Sequence, residues 1–180
     1  MSSKPVLTYF EARGKAEFLR MLLCAGGIDF EEGPFFKQKE DLEKLRNTGK
    51  LKFNQVPLLE WDGKNYVQTG AIARHIARRC GLDGKTDDEK YLVDMLTEGS
   101  RDFYQPLMTL GWGDDAKVFD QMKNTTIPKY LTVFEKELAN SKSGYLVGSG
   151  LTMADVSLLE GLLAVEEFLP QSLDPYPKTK

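Results

Sequence analysis

The sequence is poor in the residues that carry much enzyme chemistry. One histidine, His75, stands in 180 residues, so a Ser-His-Asp or Cys-His mechanism has only that side chain to use, and no nucleophile motif accompanies it. Zinc sites of the usual Cys/His spacing are excluded with it. The two cysteines, Cys24 and Cys80, form no CxxC pair. Both fall in amphipathic helical patterns, which predicts reduced, core-facing thiols rather than a disulfide framework. No apolar run approaches the about 20 residues of a bilayer-spanning helix, and the opening MSSKPVLTYF has no stretch of signal-peptide character. A cytoplasmic protein with no membrane partner is therefore expected. A basic excess is missing too: the net charge is -3 and the sequence pI about 5.3, which argues against a general nucleic-acid binder, since such proteins must replace phosphate counterions.

What is present is the composition of a globular chain, 41% hydrophobic and 28% charged, long enough for one large core or two small ones. Pro5 to Phe10 alternates apolar and polar and predicts a strand. Arg13-Gly14-Lys15 then turns the chain into a helix with Phe18, Met21, Leu22 and Ala25 on one face, stopped by Gly26-Gly27. Ile28 to Phe36 is a second strand candidate, and KQKEDLEKLRNTGK a short surface helix or loop. Next come two strands around a turn at Asp62-Gly63 and a helix with Ile72, Ile76 and Cys80 on one face. The order βαβ, polar connector, ββα implies a parallel pair from the crossover and an antiparallel pair from the tight turn. A mixed four-stranded sheet with helices packed on it follows.

Leu82 to Asp88 is polar and contains glycine, and marks the expected boundary: residues 1–81 an α/β domain, 82–88 a linker, 89–180 an all-helical domain. Leu92, Leu96, Gly99 and Phe103 predict one helical face, with Pro106 ending or kinking that helix. Gly111 to Asp115 is a turn. Ile127, Leu131, Phe134 and Leu138 predict a second long helix with Pro128 as an irregularity near its middle. Thr152 and Asp155 have capping-box spacing ahead of a helix with Leu158, Gly161, Leu162 and Val165 on one face. The last segment, PQSLDPYPKTK, carries three prolines and no period, and a loosely held tail is expected.

The stretch FNQVPLLEWDGKNYVQTGAIARHIA has the outline of a small-ligand site. Pro57 restricts Val56 to extended backbone whose polar groups are free to meet a guest. Thr69 can cap the following helix, whose open N–H groups favour a carboxylate. Taken alone, the same residues also suit an ordinary strand entry and ordinary helix punctuation.

These features together resemble the cytosolic glutathione transferases. YFEARGKAEFLRMLLCAGGIDFEE, EDLEKLRNTGKLKFNQVPLLEWDGKNYVQTGAIARHIA and YLVGSGLTMADVSLLE look like the alpha class in particular, in matching order across essentially the whole chain. The resemblance implies a thioredoxin-like first domain in which Tyr9-Phe10-Glu11-Ala12 stands where a thioredoxin carries its CxxC. It implies glutathione as co-substrate, no metal, a homodimer, and conjugation of the glutathione thiolate to apolar electrophiles. Family members also act as non-catalytic carriers of apolar ligands, or as glutathione-dependent peroxidases or isomerases.

Residue by residue, the resemblance makes Tyr9 the catalytic hydroxyl, with Lys15 beside it where the alpha class usually has arginine. Lysine keeps the charge and loses the planar fork. Arg46 matches the basic residue for the glycine carboxylate. Val56 offers its backbone to the cysteinyl unit, with Pro57 expected in cis and Gln55 holding the same end, while Gln68 and Thr69 take the γ-glutamyl carboxylate. Asp102 and Lys129 match residues that complete this end from the partner subunit; as bare sequence they are helix-surface charges. The apolar substrate is expected between Phe10 and the helical domain, with Leu107, Met108 and Trp112 as walls. The family usually continues with further helices beyond the counterpart of Lys180, and a truncated second domain is expected.

Overall fold

The computed structural model describes residues 4–36 and 39–180, so Met1 to Ser3, Lys37 and Gln38 of the segments named above lie outside the described residues. The chain divides into two compact units, Met1–Cys80 and Gly81–Lys180.

In the first unit β1 (Val6–Thr8), α1 (Glu17–Ala25) and β2 (Glu31–Glu32) form the βαβ crossover. α2 (Lys39–Asn47) follows, then β3 (Leu58–Trp61), β4 (Lys64–Val67) and α3 (Thr69–Cys80). The sheet order is β2-β1-β3-β4. β1 runs parallel to β2, Leu7 opposite Glu32, and antiparallel to β3, Leu7 opposite Leu59. β3 and β4 pair antiparallel across Asp62-Gly63. This is the mixed four-stranded sheet that the element order implied, with shorter first strands than the alternation suggested.

Helix α1 buries Phe18, Leu19, Leu22 and Leu23, while Met21 is half-buried and Ala25 exposed. The buried stripe is thus rotated by about one residue from the expected one, because Leu19 and Leu23 rather than Met21 and Ala25 extend the Phe18–Leu22 row. Cys24 follows that rotation and is exposed, which corrects its expected place in the core; Cys80 is half-buried. α1 packs on α3, so closely at its end that a Cβ on Gly26 would lie 2.5 Å from the Cys80 sulfur. Burial pushes the Cys80 thiol pKa up against the opposing charge of Arg79.

In the second unit α4 (Asp87–Tyr104) packs along α7 (Met153–Phe168). α4 begins inside the stretch expected to be linker, because Thr86 and Glu89 form a reciprocal capping box. Its core side carries Val93, Leu96 and Phe103, whereas Leu92 is exposed. Gly161 of α7 faces Phe103, where a Cβ would come within 2.8 Å of the ring, and Ser100 and Ser157 share a buried hydrogen bond at 3.0 Å. The Thr152–Asp155 pairing forms as expected: the carboxylate accepts from the Thr152 N–H at 2.8 Å and hydroxyl at 2.7 Å, and from the Leu146 N–H at 2.8 Å.

α5 (Asp115–Gln121) runs through a π-helical turn at Met122–Thr126 into α6 (Ile127–Asn140). Pro128 lies in the first turn of α6, directly after the widened turn. A proline can neither donate to the carbonyl four residues back nor accommodate it sterically, and the π turn is the local answer.

The tail departs most from expectation. Pro170–Leu173 forms a turn of 3-10 helix with Leu173 buried. Beyond it the Glu135 carboxylate accepts from the Lys178 N–H at 2.9 Å, the Thr179 N–H at 2.9 Å and the Thr179 hydroxyl at 2.8 Å. Partial burial pushes the Glu135 pKa up, but these hydrogen bonds outweigh it and hold the pKa below its ordinary value. Pro170 opens the 3-10 turn, and the irregular chain after it is bonded to Glu135 rather than left loose as expected.

Candidate functional site

The loop after β1 carries Tyr9 and turns back on itself. Ala12 N–H donates to the Phe10 carbonyl at 2.7 Å, and the amides of Ala16 and Glu17 both donate to the Arg13 carbonyl at 3.1 and 3.0 Å. Gly14 takes φ +42° in the middle of this turn, and a Cβ there would stand 2.8 Å from the Tyr9 hydroxyl. With only a hydrogen at that place, the Lys15 amide reaches the Tyr9 oxygen and donates to it at 3.1 Å. It is the Lys15 backbone that meets Tyr9, while the exposed side chain carries its ammonium on the surface. Phe10 stacks edge-on with Tyr9 at 5.3 Å and with Phe36 at 5.4 Å, and is 40% exposed.

From Lys15 the contacts continue to α3. The Thr69 hydroxyl donates to the Lys15 carbonyl at 3.1 Å. The expectation that this hydroxyl caps its own helix is thereby corrected: Thr69 is the first residue of α3, and its side chain crosses to a loop 54 residues away. The opening N–H groups of α3 have no carbonyl a turn behind them. Gln68, just before, holds φ +71°, a left-handed conformation that side chains other than glycine and asparagine rarely adopt. Its side-chain amide Nε2 donates to Gln55 Oε1 at 3.2 Å. Val56–Pro57 is a cis bond, and the preceding Asn54 offers its backbone carbonyl to Arg46 Nε at 3.0 Å. Arg46 also pairs with Glu43 at 2.6 Å.

Tyr9, Lys15, Arg46, Gln55, Val56, Pro57, Gln68 and Thr69 therefore lie along one linked set of hydrogen bonds and peptide units in the first unit. The remaining candidates other than Phe10 belong to the second unit. Asp102 and Lys129 are exposed, with the Lys129 ammonium 3.1 Å from the Tyr130 hydroxyl. Leu107 is buried at 5% exposure, Met108 half-buried and Trp112 exposed at 90%.

Arg20 escaped the sequence reading. From α1 it donates through Nε to Glu32 at 2.6 Å, and through Nη1 to Glu17 at 3.0 Å and to the Ala12 carbonyl at 3.1 Å. Desolvation works against its charge, but the two carboxylates prevail and its pKa is raised. The spacing of Glu17 and Arg20, three residues apart in a helix, is visible in the sequence; the partners Glu32 and Ala12 are not. His75 is elsewhere, stacked on Tyr66 at 4.3 Å and edge-on to Trp61. Burial, joined by the charges of Arg79, Arg78 and Lys64, lowers its pKa. Among the described residues no cluster of three or more His, Cys, Asp or Glu could hold a metal ion.

The family pattern "Glutathione S-transferase, N-terminal domain" matches residues 5–78, and "Glutathione S-transferase, C-terminal domain" matches residues 101–180. The chain belongs to the glutathione S-transferase family. It is 45% identical to glutathione S-transferase A2 of Bos taurus over 184 residues, covering all of this chain and 82% of the relative. With the Mus musculus A2 enzyme it shares 45% over 183 residues, with the same coverage. Among solved structures, the glutathione S-transferase from Ascaris lumbricoides superimposes with a TM-score of 0.83 at 34% identity, over 98% of this chain and 88% of that one. Members of this family are transferases that use glutathione as co-substrate.

Proposed function

We propose that this glutathione transferase conjugates the thiolate of glutathione to apolar electrophiles, with the Tyr9 hydroxyl donating a hydrogen bond to the sulfur. The observation that carries this is the contact between the Lys15 amide and the Tyr9 oxygen at 3.1 Å. An O–H whose lone pair is already engaged has its proton free to donate elsewhere, and accepting one hydrogen bond strengthens the next that it gives. A thiol of pKa about 8.5 is mostly protonated at neutral pH, and lowering that pKa by about 2 units takes about 2.7 kcal/mol of differential stabilisation. A donated Tyr O–H, the Lys15 charge and the positive end of α1 act in the same direction. The thiolate then attacks the electrophilic carbon, forming the C–S bond as the leaving group departs with the electron pair, or as a proton is taken up in an addition.

The other end of glutathione is held by the opposite end of the linked set. The first-turn N–H groups at Thr69 and the amide of Gln68 suit the γ-glutamyl carboxylate. Val56 pairs with the cysteinyl unit through its backbone, supported by Gln55 and Pro57. Arg46 has guanidinium donors beyond those given to Asn54 and Glu43, and serves the glycine carboxylate. Asp102 and Lys129, contributed by the second copy in a homodimer, complete the γ-glutamyl end. Phe10, 40% exposed beside Tyr9, is the first unit's candidate contact for the apolar substrate. A cytoplasmic setting accords with the lack, among the described residues, of any helix long and apolar enough to cross a membrane.

Tyr9→Phe tests the assignment. Conjugation of glutathione to a chloronitrobenzene should fall at least 100-fold while glutathione still binds. Wild-type protein that retained glutathione and apolar dyes yet conjugated nothing would instead be a carrier.

A further inference from the structure

Helix α2 meets the sheet with a side unlike a core face. Asp41, Lys44 and Leu45 lie on one side of it, with Thr48 just past its end in the same row. All four border a cavity of about 540 Å³. Its floor is Thr8 on β1 and Glu60 on β3. The strand register places these two on one side of the sheet, while Leu7 and Leu59, fully buried, point to the other. Phe35 and Phe36, from the chain after β2, complete an apolar wall with Leu45. An amphipathic helix closes on a sheet with an apolar stripe; here the stripe holds one leucine among polar groups, and a cavity remains between them.

The charges around this cavity are unequally served. Glu60 accepts from Lys50 at 2.6 Å. The Lys44 ammonium has Asp41 at 3.4 Å, on a side chain that is 78% exposed. An ammonium carries three donors, so both lysines keep N–H groups to offer while the carboxylates are already paired. A guest that fits has a flat apolar body for the two phenyl rings and Leu45, and one negative group for the lysines. The volume lies within the range of about 300–1,000 Å³ that holds small organic ligands.

We infer that the cavity beneath α2 is a second small-molecule site of the first unit, taking an aryl carboxylate built on two fused rings. It stands apart from the residues assigned to glutathione. Arg46 follows Leu45 in sequence but lies about 100° around the helix, where it meets Asn54 and Glu43. No residue bordering the cavity belongs to the linked set that runs from Tyr9 to Thr69. The nearest approach is Phe36, whose ring meets Phe10 at 5.4 Å, so the two sites are neighbours across one aromatic contact.

The probe is naphthoate, titrated into the full isotope-labelled chain saturated with S-hexylglutathione, which fills the glutathione site and the apolar substrate site beside it. The backbone amide shifts of Phe35, Leu45 and Thr48 should move and saturate, with a dissociation constant on the order of 0.1–1 mM for so small a ligand. Lys44→Glu should weaken binding of the acid about fivefold and leave the uncharged naphthamide unaffected. Leu45→Trp fills the space and should abolish the shifts. Should that variant fail to fold, Thr48→Trp, at an exposed position, should abolish them instead. Amide shifts that are absent at concentrations well above that range, or that vanish once S-hexylglutathione is added, overturn the inference. Equal affinity of wild type and Lys44→Glu for the acid overturns it as well, because the lysine charge then selects nothing.

Discussion

Gly14 and Tyr9 share a space that admits only one of them: a Cβ on residue 14 would stand 2.8 Å from the Tyr9 hydroxyl and 3.0 Å from its ring. Gly14→Ala meets two obstacles at once, since φ +42° adds about 1–2 kcal/mol of backbone cost for an L side chain. The phenol, packed by Phe10, must move. We expect kcat/KM to fall about 100-fold, in line with a misplacement of about 1 Å at a reacting group. The melting temperature should drop by a few degrees, read by circular dichroism.

Lys15 gives a contrasting case. Its amide is the group on Tyr9, and replacing the side chain leaves the amide in place. Lys15→Met removes an exposed charge whose influence water screens. A loss below tenfold in kcat/KM is expected, shrinking further as salt is added to the assay. A loss as large as that of Tyr9→Phe would mean that the ammonium, and not the peptide unit, governs the sulfur.

Gln68 holds a left-handed backbone at φ +71°, a conformation that costs a non-glycine residue about 1–3 kcal/mol. Gln68→Gly relieves that strain and deletes the amide, so the melting temperature should hold or rise while glutathione affinity falls about tenfold. Gln68→Ala deletes the amide and keeps the strain, and should lose affinity without the gain in stability. Paired calorimetry and thermal melts distinguish the two.

The tail clasp should be sensitive to acid. Because the folded Glu135 pKa is depressed, its contribution is fully present above the ordinary carboxylate value of 4.5 and is lost as the pH falls through the folded value. Amide hydrogen exchange at Lys178 and Thr179, corrected for intrinsic rates, should accelerate over that window. In Glu135→Gln the exchange should be faster throughout and flat with pH; unchanged protection would show that the carboxylate does not hold the tail.

Much of the site was legible because its signals are local. Pro57 after Val56 and the Asp62-Gly63 turn each announce a backbone shape through their own chemistry, and the glycine at 14 marks a turn. Contacts between distant parts of the sequence were not legible. The destination of the Thr69 hydroxyl, the carbonyl held by Arg20 and the carboxylate that clasps Thr179 depend on partners that only the folded chain brings near. On α4 the expected face holds at Leu96 and Phe103 and fails at Leu92: Leu92 and Val93 are adjacent and similar, and packing alone decides that Val93 goes inside. Cys24 lost its predicted burial for the same reason, with Leu23 beside it taking the inner place. At 170–180 proline content was a guide to irregularity, and irregular chain can be held as firmly as a helix when its amides find a carboxylate.

The hydroxyls of Ser100 and Ser157, buried and bonded at 3.0 Å where α4 packs on α7, tie two distant positions of the sequence together. Removing either alone strands its partner's hydroxyl in a place that water does not reach, whereas removing both leaves two methyl groups that pack. Each single substitution is therefore expected to cost stability that the double substitution recovers. The pair behaves as one unit of change written at two places in the sequence.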